Sequence, residues 1–406
     1  MTGKRKRKLA MPDTLIIVAS VVLLVAILSW IIPSGTYDYQ EMNINGRIRN
    51  VAIDGTYHTI DKSEVTTTGF LGFFSVLYRG CVEAADVIFM ILCCCGTFGV
   101  VVKTGAFHAG IGTILKKLKG KEILLVPIIM MIFGLGGSVF GMASEFYGFY
   151  PLIVGLGVAL GYDAMFGFAI IAVGEFVGFM GATLNPYSVG IAQTISGVEL
   201  YSGTGYRTIC FVIFMVISII YVMMYGRKIK KNPGASVVFG EKNIHAFDRD
   251  ELNEYSFTLK DGLVLLDVLV VLVVLMFGLI KWGWDFPQLC GLFLLMSMIA
   301  AAICKWSPNK WCSEFIDSAK TAMWGCILTG IAKAITVVMQ DAQIMDTVIY
   351  GLSNVLKNAP HAVSAQVMLV VQTLINFFIP SATGQASATM PIMAQLADII
   401  GVSRQT

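Results

Sequence analysis

Charged residues are scarce in this sequence. They make up 14% of its 406 residues, and hydrophobic residues make up 56%. Soluble domains average about 25% charged residues, so a chain with this composition cannot cover a soluble fold with polar side chains. The composition therefore predicts a protein that crosses a membrane several times.

Sequence motifs for ATP use and for common hydrolytic chemistry are also absent. No Walker A, H-E-x-x-H or G-x-S-x-G sequence occurs. The four histidines are scattered, and the nine cysteines do not lie at metal-ligand spacing. These absences argue against an enzyme, an ATP-driven pump within this chain and a metal site. The basic run "KKLKGK" at 116–121 is interpreted as a marker of the cytoplasmic side, and no nucleic-acid partner is expected.

Several apolar stretches are long enough to cross the bilayer core, which takes about 20 helical residues. They cover 14–32, 82–102, 163–195, 206–226, 261–281, 287–304 and 314–340, and the third is expected to contain a break. The first follows a basic tail and is expected to stay as a transmembrane helix, since it is too long for a signal peptide. Residues 122–160 and 363–399 are interrupted in the middle, which predicts two re-entrant helical hairpins.

Two polar segments divide the apolar stretches. Residues 33–68 contain Asn-Gly and Asp-Gly turn signals between short alternating runs, which predicts a β-hairpin in an extracellular loop. Residues 227–260 form a long polar linker, predicted to be cytoplasmic. The linker separates a first membrane repeat at 1–226 from a second at 261–406.

Lysine and arginine predict the orientation. If both hairpins return to the side from which they enter, one side of the membrane holds 20 of these residues and the other holds 7. Basic loops face the cytoplasm, so the N-terminus and the linker are expected inside.

This threading exposes an internal repeat. A span, a short amphipathic piece and a hairpin follow one another in both halves, with opposite orientation. Such inverted repeats with broken helices are a design of secondary transporters. The fold class is therefore an all-α polytopic membrane protein with inverted-topology repeats. The second repeat is expected to be truncated, with roughly 65 residues still to follow.

Small polar residues interrupt the apolar stretches at three places. These are the first hairpin tip at 134–151, the second tip at 376–391 and the sequence "GATLNPY" at 181–187. Backbone groups left free in lipid cost several kcal/mol each, so such breaks survive where protein, water or ligand satisfies them. A helix that begins at a break directs its free N–H groups toward it and attracts carboxylates. The alternative is an ordinary packing kink.

The candidate substrate-binding residues lie at these three places: Ser144, Glu145, Thr183, Asn185, Ser381, Thr383, Gly384 and Gln385. The candidates for ion coupling or for a charge pair are Glu175, Lys333, Asn185 and Thr383. An ionisable side chain near the bilayer centre is costly and tends to be paired or functional. The two glutamates can bind a cationic substrate, carry a coupling proton or neutralise the lysine. The alternatives are a structural ion pair and a lysine that reaches the membrane surface.

Four segments carry a resemblance to a known family. "SWIIPSGTYD", "ASEFYGFYPL", "GATLNPYSVGIAQ" and "IPSATGQASATMPIM" resemble the C4-dicarboxylate anaerobic carrier family, in its YfcC-like branch. The resemblance implies an ion-transporter-superfamily fold with two opposed hairpins, often as a homodimer, in the bacterial cytoplasmic (inner) membrane. It also implies a second unwound helix beyond residue 406 and no cofactor other than Na⁺ or H⁺ as a coupling ion.

The expected function is secondary active transport by alternating access of a small solute that bears a carboxylate. Members of the family are C4-dicarboxylate carriers or basic amino acid antiporters. The predicted membrane segments contain two candidate acidic residues, Glu145 and Glu175, and one basic residue, Lys333. This balance favours the basic amino acid antiporter. A C4-dicarboxylate carrier, working by exchange or coupled to Na⁺ or H⁺, is the alternative. A non-transporting membrane sensor or a membrane-embedded enzyme is a remote alternative.

Overall fold

The computed structural model describes residues 13–44, 47–53, 55–118, 122–240, 257–282, 284–357, 363–399 and 402–405. In chain order, its helices are α1 (Thr14–Ile31), α2 (Phe70–Glu83), α3 (Ala85–Lys103), α4 (Ala106–Leu118), α5 (Leu125–Leu135), α6 (Tyr150–Ala159), α7 (Ala164–Gly181), α8 (Val189–Ser196), α9 (Thr204–Lys231), α10 (Leu259–Lys281), α11 (Phe286–Ile303), α12 (Pro308–Lys320), α13 (Met323–Asp341), α14 (Met345–Lys357), α15 (Ser364–Phe378) and α16 (Ala382–Ile399). The strands are β1 (Ser34–Thr36), β2 (Tyr39–Ile44), β3 (Arg47–Ala52) and β4 (His58–Ile60).

Six of these helices are long and apolar enough to cross a membrane: α1, α3, α7, α9, α11 and α13. The predicted all-α polytopic membrane fold is confirmed. Polar residues set the helix starts, as at α1, where the Asp13 carboxylate accepts a hydrogen bond of 2.8 Å from the Leu15 N–H. Such N-caps satisfy N–H groups that the first turn leaves free.

Two helices depart from the predicted spans. The stretch 314–340 is divided into α12 and α13, with a turn at 321–322. The helix α12 begins at Pro308, after Ser307 accepts a hydrogen bond from the Lys310 N–H, and its polar side chains recur at helical spacing. The 14-residue helix α2 was not predicted; it lies between the predicted loop at 33–68 and the predicted span at 82–102, and it is too short to span the bilayer.

The polar loop forms the predicted β-hairpin. Strands β2 and β3 pair antiparallel from Tyr39 opposite Ala52 to Ile44 opposite Arg47. Their Asn-Gly connection lies outside the described residues. Strands β1 and β4 form a second antiparallel pair, so 34–60 makes a small cap that packs through β3 against α16.

Helix lengths and contacts recur in the two halves. Helices α1 to α4 have 18, 14, 19 and 13 residues, and α11 to α14 have 18, 13, 19 and 13. The contacts are reciprocal, because α2 packs on α13 as α12 packs on α3, and α1 on α13 as α11 on α3. This pattern is what an internal repeat would produce, and the repeat itself stays a prediction. The inverted orientation and the cytoplasmic N-terminus stay predictions, as do the bounds of the two repeats.

Candidate functional site

The first hairpin changes its helix type at the tip. Helix α5 passes into a π-helical turn at Gly136–Phe140, and Gly141 then has a φ of 68°. This left-handed conformation favours glycine, because other residues carry a Cβ that clashes there. A Cβ on Gly141 would also lie 2.6 Å from Asn185 Oδ1. The tip therefore touches the broken helix directly.

The chain between α7 and α8 is unwound over residues 182–188. Ala182 follows α7 with a φ of 38°, and the break contains Pro186, which has no N–H for a helical bond. Helices α5 and α7 approach closely on the way to the break, because a Cβ on Gly178 would lie 2.2 Å from the Gly134 carbonyl oxygen. The glycines thus let the first tip and the break lie side by side.

Asn185 holds the break in shape. The residue is fully buried, and its Nδ2 donates to the Gly137 carbonyl at 3.1 Å. Its Oδ1 accepts from the backbone N–H groups of Tyr187 at 2.9 Å and Ser188 at 3.2 Å. Since both ends of the amide are bonded to backbone, the geometry supports a positioning role for Asn185.

Thr183 is bonded in a similar way. Its hydroxyl lies 3.0 Å from that of Ser138, and its N–H donates to the Ser138 Oγ at 3.1 Å. Both side chains are buried. Together with Asn185, this pair fastens the break to the first hairpin tip.

The second hairpin tip reaches the same break. Helix α15 ends at Phe378 and α16 begins at Ala382, where the Ser381 Oγ accepts from the Gly384 N–H at 3.2 Å. The Thr383 hydroxyl donates to the Tyr187 carbonyl at 2.8 Å. The structure therefore brings Thr383 and Gln385 together with the break that contains Thr183 and Asn185, and Gly384 lies between them in the second tip.

A pocket of about 300 Å³ lies between the break and the second hairpin. Its polar lining consists of Ser188, Arg207, Gln372, Gln385 and Thr389. In the described part of the chain, the Ser188 Oγ and the Gln372 Nε2 are buried without a hydrogen-bond partner. Buried polar atoms are nearly always paired, so these two atoms indicate a place where a polar ligand or a water binds.

Hydrogen bonds to neighbours fix the orientation of Gln372. Its Oε1 accepts from Gln385 Nε2 at 2.5 Å, and the same Gln385 Nε2 also donates to the Gln372 backbone carbonyl at 2.9 Å. The oxygen is therefore used, and the two N–H groups of Nε2 remain for a ligand. Of the predicted residues, Gln385 lines the pocket and also orients this amide.

Arg207 is the only charged side chain among the described residues that line this pocket. Its Nε donates to the Ala182 carbonyl at 3.2 Å, and its Nη2 donates to the Thr183 carbonyl at 3.2 Å. Further bonds go from Nη1 to the Ser202 carbonyl at 2.9 Å and from Nη2 to the Thr204 hydroxyl at 3.2 Å. The guanidinium thus caps the carbonyl end of α7. One of its Nη1 N–H groups is not used by these four hydrogen bonds.

A second pocket of about 610 Å³ adjoins the first and shares Arg207 with it. Arg404 also lines this larger pocket, and its Nη1 donates to the Ser196 carbonyl at 2.9 Å. Two guanidinium groups therefore border the connected space.

The two predicted acids lie elsewhere, deeper in the first half. The Glu145 carboxyl is buried and accepts from the Ala143 N–H at 2.9 Å, and the buried Glu175 accepts from the Tyr150 hydroxyl at 3.0 Å. Glu175 lies one helical turn from Phe179, which lines the smaller pocket.

The remaining predicted residues have a less defined place in the structure. Lys333 is half-buried on α13, and its pairing with an acid stays a prediction. The Ser144 side chain lies outside the part that the structure describes. In the described ranges, no group of three His, Cys, Asp or Glu residues is arranged to hold a metal ion.

Sequence reasoning missed four pocket residues: Ser188, Arg207, Gln372 and Thr389. Arg207 was counted among the basic residues of an outer loop, although it begins the helix that follows the break. Gln372 is a polar residue inside the apolar run "VMLVVQTLINFF", and this contrast was a usable signal. Nothing local distinguished Ser188 from the other hydroxyl residues of the breaks.

Comparison with known proteins bears on the transport interpretation. Residues 11–406 match the model of DcuC, the C4-dicarboxylate anaerobic carrier family. The chain is 31% identical to "Putative basic amino acid antiporter YfcC" of Escherichia coli (strain K12), over 99% of this chain and 86% of that protein. It is 28% identical to an uncharacterized protein of Haemophilus influenzae, over 99% and 87%. Among solved structures, it is similar to the YdaH transporter of Alcanivorax borkumensis, with a TM-score of 0.43, 13% identity and coverage of 97% and 85%. The resemblance found in the sequence is confirmed by the first two matches.

Proposed function

Since the chain belongs to the C4-dicarboxylate anaerobic carrier family and is a membrane transporter, we propose that it is an antiporter of basic amino acids. In this proposal it works by alternating access, with the substrate between the break at 182–188 and the second hairpin. The observation that carries the proposal is the smaller pocket, which presents unpaired donors and a single positive charge.

The donors favour a carboxylate. The free groups are the Ser188 hydroxyl, the two Nε2 N–H groups of Gln372 and one N–H of Arg207. A ligand that satisfies all of them must be an acceptor, and a carboxylate accepts up to four hydrogen bonds. Hydrogen bonds to charged groups are worth about 1.5–3 kcal/mol each. The pocket therefore suits the α-carboxylate of an amino acid.

The two buried acids, Glu145 and Glu175, favour a substrate with a cationic side chain. Glu175 lies four residues before Phe179, which places it about 6 Å further along α7 from the pocket wall. A long basic side chain can extend over that distance while its carboxylate stays near Arg207. The name of the Escherichia coli relative also supports a basic amino acid.

A specific observation also supports a C4-dicarboxylate. Arg207 and Arg404 border the connected space of the two pockets, and two guanidinium groups suit two carboxylates. The family description supports the same substrate. This second candidate assigns no substrate contact to the two acids.

Counterflow into proteoliposomes tests the proposal. Vesicles hold unlabelled arginine or succinate, and uptake of the same labelled compound is measured without ion gradients. We expect arginine counterflow and no succinate counterflow. The assay works without ion gradients, because an exchange of equally charged solutes needs neither Na⁺ nor H⁺ as a coupling ion. Succinate counterflow alone would replace the amino acid with the dicarboxylate.

The Glu175→Gln variant tests the cationic end of the substrate. Loss of one partner from a buried charge pair costs about 2–5 kcal/mol, so arginine affinity should fall more than tenfold. Glu199→Gln, in an exposed turn, is the matched control and should leave affinity unchanged. Equal arginine affinity in Glu175→Gln and the wild type would remove Glu175 from the substrate site.

We further propose, from the family and from the distribution of Lys and Arg, a homodimer in the bacterial cytoplasmic membrane with the N-terminus inside. Proteolysis of the N-terminal tail in inside-out but not in right-side-out vesicles is the expected result for this orientation.

A further inference from the structure

The short helix α8 carries a buried glutamine to which the proposed function assigns no role. Gln193 is 6% exposed and ends the sequence "GATLNPYSVGIAQ", which carries part of the family resemblance. It borders the larger pocket, as Arg207 does. Burying an amide is costly unless it is hydrogen-bonded, so the partners of Gln193 show what it holds in place.

Gln193 binds two neighbouring residues of the turn between α8 and α9. Its Oε1 accepts from the Tyr201 N–H at 2.7 Å, and its Nε2 donates to the Ser202 carbonyl at 2.9 Å. A longer contact of 3.3 Å joins Nε2 to the Ser202 hydroxyl. Both ends of the amide therefore hold the backbone of one turn, and this fixes the direction of the Ser202 carbonyl.

The turn has a backbone conformation that needs such support. Tyr201 has a φ of 60°, in the left-handed region, where a residue other than glycine is strained. Strained residues persist where the surrounding structure over-determines them. The hydrogen bond from the Tyr201 N–H to Gln193 is one such constraint.

The Ser202 carbonyl is the point where this turn meets Arg207. Arg207 Nη1 donates to the carbonyl at 2.9 Å, and Gln405 Nε2 also donates to it at 3.1 Å. The guanidinium is planar and rigid, so the two N–H groups of Nη1 keep a fixed angle to each other. The bond to Ser202 therefore also sets the direction of the other Nη1 N–H, which the smaller pocket offers to a ligand.

We propose that Gln193 is a positioning residue for the substrate carboxylate and acts through the turn and Arg207. The inference rests on the proposed function, because it takes the carboxylate to bind beside Arg207. In this arrangement Arg207 contacts the carboxylate, and Gln193 contacts only the turn that directs Arg207.

Helix α8 links this role to a second donor of the pocket. Ser188 directly precedes the helix, and its hydroxyl is one of the free groups assigned to the carboxylate. Gln193 lies five residues further on, about 7.5 Å along the helix axis. The helix thus sets the distance between Ser188 and the turn that directs Arg207, and both donors reach one carboxylate only at a suitable distance.

Competition binding to the purified full chain tests the role of Gln193. Labelled arginine is displaced by unlabelled arginine or by argininamide, which has a neutral amide in place of the carboxylate. The wild type should prefer arginine by at least roughly tenfold, because hydrogen bonds to a charged acceptor are the stronger ones. Gln193→Met keeps the length of the side chain and removes its hydrogen bonds, so the preference should fall by roughly threefold or more.

Three further variants make the result specific. Thr194→Val removes a hydroxyl that donates to the Gly190 carbonyl within α8, and it should keep the wild-type preference. Arg207→Gln should lose the preference, and adding Gln193→Met should lower it no further, because residues that act through one another are not additive. Gln193→Glu keeps an acceptor and loses the donor, so it should behave as Gln193→Met does.

The outcomes separate this inference from the proposed function. A wild-type preference in folded Gln193→Met or Gln193→Glu would overturn the positioning role and leave the proposed substrate intact. Equal weakening of arginine and argininamide would also overturn it, since a purely structural role produces that result. Binding of succinate without arginine would overturn the substrate alone. The same comparison then uses labelled succinate, displaced by succinate or by its monoamide, and the expected loss in Gln193→Met is unchanged because both substrates carry a carboxylate.

Discussion

Asn185→Ala is the substitution that most directly probes how the break is held. Asn185 is fully buried and joins the first hairpin tip to the start of α8 through three hydrogen bonds. Alanine removes all three and leaves the Gly137 carbonyl and the N–H groups of Tyr187 and Ser188 without this partner. The orientation of Ser188 toward the pocket then loses its main support.

The size of the effect follows from these bonds. Each contributes about 0.5–1.5 kcal/mol net, so together they are worth about 1.5–4.5 kcal/mol. If the substrate must reorder the loosened break when it binds, affinity falls by at least roughly tenfold. The folded state should also be less stable, because buried backbone groups lose their partners.

The assay is the concentration dependence of counterflow, with the thermal unfolding midpoint of the purified protein measured in parallel. Asn232→Ala, at the exposed end of α9, is the matched control and should change neither quantity. An unchanged KM in Asn185→Ala, in protein that unfolds at the wild-type temperature, would refute the positioning role.

Two further predictions concern packing and the cap. Gly178→Val should abolish folded protein, because its Cβ would meet the Gly134 carbonyl oxygen at 2.2 Å, whereas Gly325→Ala, with open space around it, should be tolerated; size-exclusion profiles of both variants check this. Burial and the neighbouring Asp346 carboxylate raise the pKa of Tyr39 above its ordinary value of 10.0, so the folded cap binds this proton more tightly than the unfolded chain. Stability should therefore fall as the pH rises above about 10, and Tyr39→Phe should remove this dependence from the thermal unfolding midpoint. A Tyr39→Phe profile identical to that of the wild type would contradict the assignment.

The interruptions of the helices were predictable because their causes are local. Pro186 lacks an N–H, and Gly141 adopts a left-handed φ at little cost, so the chemistry of each residue marks its own position. The division of 314–340 into two helices was not predicted. Apolar content alone cannot distinguish one long transmembrane span from two consecutive helices. Here α13 is one of the six apolar helices long enough to cross a membrane, and α12 is not.

The residues that line the pocket were less predictable than the breaks that border it. The structure bonds Thr183 to Ser138 of the first tip, and Asn185 to Gly137 of the tip and to Tyr187 of the break. Substrate contact by Thr183 and Asn185 stays a prediction. Gln372 and Arg207 line the pocket because α15 and α9 pack beside the break. Such a contact depends on tertiary packing between distant segments, and no local pattern in a single sequence specifies it.

Equilibrium binding of labelled arginine to the purified protein tests the central claim most directly. The Gln372→Leu variant removes donors that the pocket offers to a carboxylate, and Thr373→Val, at the next residue of α15, is its control. We expect saturable binding in the wild type and in Thr373→Val, and a loss of at least roughly tenfold in Gln372→Leu. Equal binding by Gln372→Leu and the wild type would show that the carboxylate binds elsewhere, and binding of succinate without arginine would contradict the proposed substrate.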